Sequence, residues 1–149
     1  MQLVNALFKY IDPRAARLFT RAEFLRLSEP MLMSILCRPN AALSESLRFQ
    51  AIARWTQYQI DPMSNVQQLS TWRPAEVMDR LTEKQRIYFK DVMNRLACDV
   101  KLRRIPPYDL IRLVLPCKVW TNQAIVKTLL LQADAGVFSH PELAAMKKK

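Results

Sequence analysis

The side chains able to do chemistry are few and poorly placed for it. Cys37, Cys98 and Cys117 are the three cysteines and His140 the one histidine. No Cys-x-x-Cys spacing occurs among them, so the ligand pattern of a structural zinc site is missing. An odd, scattered set of thiols suits a reducing compartment better than a disulfide framework. A Ser-His or Cys-His nucleophile pair would have to draw on His140, which sits next to Pro141 near the end of the chain. Glu76/Asp79 and Asp79/Glu83 place carboxylates close together on a helix, the arrangement general acid–base work would use. They are interleaved with Arg80, Lys84 and Arg86, and surface ion pairing accounts for them. Gly136 is the only glycine, whereas phosphate-cradling loops need two or three. The reading is of a non-enzyme with no catalytic residues, no metal site and no cofactor.

The elements around these residues read as helices. The chain has 149 residues, half of them hydrophobic, with nine prolines and a formal charge of +10. That length suits one domain with a sizeable core. With no Asn-Gly or Asp-Gly pair, a fold built on tight hairpins is disfavoured. Asp12-Pro13 reads as an N-cap with Pro at N1, and Thr20 to Glu23 as a capping box. Ser28 or Glu29 before Pro30 starts a helix carrying Leu32, Ile35 and Leu36, and Ser44 starts an amphipathic one of about four turns, with Leu47, Ala51, Trp55 and Tyr58 recurring at helical spacing. Residues 61–73 read as a connection. Pro74 opens a further region, and beyond a break at Thr82 the longest helix carries Phe89, Met93, Leu96 and Val100. Glu76–Arg80, Asp91–Arg95 and Asp99–Arg103 have the favourable order for i,i+4 ion pairs. After Pro106-Pro107 a segment places Leu110, Ile111, Val114 and Leu115 on one face. Thr121 or Asn122 caps a last core helix with Ile125, Val126, Leu129 and Leu130, closed by Gly136 at C′. The expectation is an all-α bundle of seven to nine helices in antiparallel pairs.

Charge and targeting narrow the partners. The excess positive charge is +4 over residues 1–60, +3 over 61–105 and +3 over 106–149, the last carried by Lys147–Lys149. Arg103-Arg104 is the only adjacent arginine pair, and it offers candidate basic contacts. No arm or polar recognition helix stands out, so nucleic acid is a disfavoured, charge-driven alternative. No secretory signal and no apolar run of membrane-spanning length is present, which suggests a cytoplasmic or nuclear protein. Trp72 and Trp120 lie at helix boundaries and could be exposed interface anchors.

Phe24-Leu25-Arg26-Leu27-Ser28, then Leu32 and Leu36, then Leu43-Ser44-Glu45-Ser46 with Phe49, Ala51 and Trp55, resemble the centre of a BACK domain. That is the helical module following the BTB domain in kelch-type ubiquitin-ligase adaptors. Lys101-Leu102-Arg103-Arg104-Ile105-Pro106 and Leu110 resemble its basic-apolar-proline step, although nearly fifty residues separate this step from Trp55 where typical members have about twenty. On this likeness residues 1–138 form a single BACK-like domain with an elaborated segment at 60–100, and 139–149 a basic tail. The resemblance implies an interaction scaffold, the linker of a BTB-type substrate adaptor for a cullin-based E3 ligase. Its partners would be a BTB domain in the same parent chain, a cullin-3 type scaffold and a substrate. Leu3, Leu7, Phe8, Ile11, Leu18 and Phe19 resemble the segment supporting cullin binding. A free-standing helical oligomerisation domain is the remaining alternative.

Overall fold

The computed structural model describes residues 2–38, 43–63 and 72–136. Within them the chain is all-α, as the periodicity and punctuation predict. The helices are α1 (Gln2–Ile11), α2 (Ala15–Thr20), α3 (Glu29–Leu36), α4 (Glu45–Ile60), α5 (Pro74–Arg80), α6 (Glu83–Leu96), α7 (Pro107–Asp109) and α8 (Asn122–Asp134), with short 3-10 turns at Asp12–Arg14, Glu23–Arg26, Leu102–Arg104 and Leu115–Cys117. The 139–149 tail and His140 lie outside the described residues.

The longest helix among the described residues is α4, with 16 residues, not α6, with 14, as the sequence suggested, and α4 is the axis of the bundle. It is also not amphipathic, because every residue from Ala51 to Gln57 is buried. A helix enclosed on all sides must satisfy whatever polar groups it carries, and α4 does so by reaching out to neighbouring backbone. Arg54 donates to the carbonyls of Phe19 (2.6 Å) and Arg21 (3.4 Å). The Trp55 indole N–H donates to the Leu27 carbonyl at 2.9 Å, and Gln59 donates to the Leu25 carbonyl at 3.1 Å. The irregular stretch from the end of α2 to the start of α3 therefore has several of its carbonyls held by one helix, which lets Phe24 and Leu25 be buried. Phe19 and Phe24 meet edge to face beneath it, 5.2 Å apart. Arg54 lies 5.0 Å from the Phe24 ring, and burial lowers its pKa to about 10, so it stays charged at neutral pH.

α6 packs along α4 through Phe89, Val92, Met93 and Leu96. The chain leaving it meets the first turn of α4, where the Lys101 N–H donates to the Glu45 carboxylate at 3.0 Å, so the two helices run antiparallel. Trp72, just before α5, is tied back to α4 by its indole N–H, 2.8 Å from Gln57 Oε1. The segment at 60–100 thus supplies a core wall.

Several local expectations are corrected. Asp12 does not cap a helix: it sits in a 3-10 turn with Pro13, and its carboxylate takes both arms of the Arg38 guanidinium at 2.6 and 2.9 Å. A bidentate charge-assisted pair outcompetes a cap bond. Thr20 ends α2, donating to the Arg17 carbonyl, and the turn at Glu23–Arg26 has no side-chain cap. The capping box is instead at Thr82 and Gln85, where α6 begins. α6 stops at Leu96, so Asp99 and Arg103 do not share a helix. Arg95 pairs with Glu29 rather than with Asp91. After α7 the backbone widens into a π turn at Leu110–Val114. Its wider hydrogen-bond register breaks the predicted face: Leu113 turns inward while Ile111 is exposed. Ser28, Ser44 and Thr121 cap their helices as read. Gly136 lies at C′ with φ +78°, a conformation that favours glycine.

Candidate interaction surface

α1 presents two apolar faces. Phe8 and Ile11 pack against the core. On the other face Leu3 is 77% exposed, Leu7 53% and Tyr10 61%. Their spacing, i, i+4 and i+7, places them on one stripe. Tyr10 was not singled out in the sequence, although it completes the spacing begun by Leu3 and Leu7. The stripe is held by its far end. Arg38 lies 4.2 Å from the Phe8 ring while gripping Asp12, and Arg14 lies 3.9 Å from the Tyr10 ring while donating to the Tyr10 carbonyl. The Arg38 hydrogen bonds hold the Asp12 carboxyl below its ordinary value, and the same pairing raises Arg38. Both therefore remain charged around neutrality, and α1 is fixed on the body.

The other residues singled out divide sharply. Leu18 is half-buried against the core. Phe19 is fully buried and faces no partner: it is the ring beneath the turn after α2. Trp72 is not an exposed anchor, being 3% exposed, since its N–H is satisfied inside by Gln57. Trp120 is half-buried, tilted against Phe49 with ring centroids 5.8 Å apart. Arg103 and Arg104 are exposed on the 3-10 turn Leu102–Arg104. Among the cysteines, Cys37 and Cys98 are exposed and Cys117 is buried, where burial pushes its thiol up to about 12. Among the described residues no three His, Cys, Asp or Glu side chains group as metal ligands, and no helix is long and apolar enough to cross a membrane.

Residues 1–70 match the family model described as BACK, BTB And C-terminal Kelch. The N-terminal segment carries a BACK domain. No curated protein and no solved structure matches the chain. The structure gives the BACK signature a physical reading. Phe24 and Leu25 fill the core, Leu27 offers its carbonyl to Trp55, and the Ser28 hydroxyl accepts the Met31 N–H that opens α3. Ser44 accepts the Leu47 N–H and starts α4, which brings Trp55 to that carbonyl. The matched BACK segment spans α1 to α4. The walls that α6 and Trp72 supply to α4 lie beyond it.

Proposed function

We propose that the chain is the linker module of a BTB-type substrate adaptor for a cullin-based ubiquitin ligase, working by geometry and without catalysis. The observation that carries this reading is the outward stripe Leu3, Leu7 and Tyr10 on the first helix of the BACK segment. Exposed apolar groups at helical spacing on an otherwise anchored helix suit burial against a protein partner. In this reading α1 docks a cullin-3 type scaffold beside a BTB domain of the same parent chain. The rigid α4-centred body sets the direction in which a substrate-binding region is held. Such an adaptor would work in the cytoplasm or nucleus. The test is affinity capture from nuclease-treated lysate, comparing the native chain with Leu3→Asp/Leu7→Asp. Recovery of a cullin by the native chain and its loss in the variant is expected. Equal cullin recovery by both, or none by either, would refute the assignment.

A further inference from the structure

A second surface lies beside the first turn of α4, away from α1. Its position follows from Lys101 meeting Glu45, whereas α2 meets α4 nine residues later, at Arg54, about 13 Å along the helix. Here a groove of about 550 Å³ runs between the 3-10 turn and α8, with Leu102 and Trp120 as apolar walls, Thr128 as a hydroxyl, and Lys101, Arg103 and Arg104 as cations. Among the described residues no acidic side chain lines it. The nearby Glu45 is already engaged by Arg48 and by the Lys101 N–H. The turn carrying the cations is held in place, because Gln132 on α8 donates to the carbonyls of both Arg103 (3.0 Å) and Ile105 (2.7 Å). A braced backbone with free cationic side chains loses little conformational freedom on binding.

We infer that this groove is a docking site for a short acidic peptide segment bearing an apolar side chain. The three cations would meet its carboxylates, and the Leu102–Trp120 wall its apolar group. Charge complementarity selects the acid, and the shape of the cluster selects peptide over nucleic acid. From Lys101 to Arg104 the 3-10 turn advances only about 6 Å, enough for about two successive phosphates of one strand. Trp120 is also tilted against Phe49, so it is not a free platform on both faces for base stacking.

The test is fluorescence anisotropy on the whole chain with a labelled peptide that alternates Glu with Leu and carries one Phe. A labelled single-stranded RNA of similar charge is the competing probe. Arg103→Glu/Arg104→Glu changes two exposed side chains, and circular dichroism checks that the fold is kept. As a control for net charge, Arg17→Glu/Arg80→Glu reverses two exposed arginines outside the groove. The peptide is expected to bind, to weaken at least about tenfold in the groove variant as charge-assisted contacts are lost, and to change less than about threefold in the control. No peptide binding, equal loss in both variants, or tighter binding of RNA would overturn the inference.

Discussion

Replacing Trp72 by Phe tests whether the chain beyond residue 70 belongs to the core. The indole N–H of Trp72 is 2.8 Å from Gln57 Oε1, and both residues are buried. Phenylalanine removes the donor and strands a buried acceptor, a cost of about 1–3 kcal/mol. The smaller ring adds a void worth about 1 kcal/mol, so Trp72→Phe should cost about 3 kcal/mol in all. Gln57→Leu behaves differently. It strands the indole N–H, but it also removes Gln57 Nε2, a buried donor without a partner among the described residues, and these opposed terms leave a net cost of at most about 1 kcal/mol. The double variant strands nothing and keeps only the void, at about 1 kcal/mol. The cycle should therefore show a coupling of at least about 2 kcal/mol. Urea unfolding followed by far-UV circular dichroism gives the four stabilities, with a constant slope verifying the two-state assumption. Coupling below about 0.5 kcal/mol, or a Trp72→Phe cost within the range of a surface change, would refute the bonded, buried placement of Trp72.

Other expectations are simpler to check. Maleimide labelling of the native chain read by mass spectrometry should modify Cys37 and Cys98 rapidly and Cys117 only after unfolding, since its thiol is buried and its pKa raised to about 12. Asp12→Asn should lower the melting temperature at neutral pH and flatten the acid side of the stability profile. A carboxyl with a depressed folded pKa stabilises above its unfolded value near 3.8, and that stabilisation is lost as pH falls through the folded value; thermal melts across an acid series decide it. Ser44→Ala should cost about 1 kcal/mol in denaturant unfolding, because its hydroxyl accepts the Leu47 N–H at the start of the central helix.

Much of the fold was legible because its signals are local. Ser28, Ser44, Thr121 and Gly136 act within one helical turn, so sequence spacing alone places them. The role of α4 was not legible. Arg54 and Gln57 look like a polar face, and only the carbonyls of a distant segment, together with Trp72, make them interior. The same holds for Asp12, which adjoins a proline as a cap would but answers to Arg38, 26 residues away. Leu3 and Leu7 were readable as a partner surface. Phe8 and Ile11 were not separable from them by pattern, because a helix with two apolar faces gives no sequence mark of which one is covered. Arg103 and Arg104 were visible as a pair, but the Trp120 and Gln132 that make their turn a shaped surface come from α8 and its approach.

The outward stripe of α1 is proposed as a protein interface used by a cullin. Isothermal titration of the chain against the purified N-terminal region of cullin-3 tests it most directly, with Leu3→Asp/Leu7→Asp alongside. Both leucines are largely exposed, so the variant should fold normally while forfeiting the burial of two side chains. Measurable binding is expected, falling by more than about tenfold in the variant. Undetectable binding by the native chain, or equal affinity in a correctly folded variant, would contradict it.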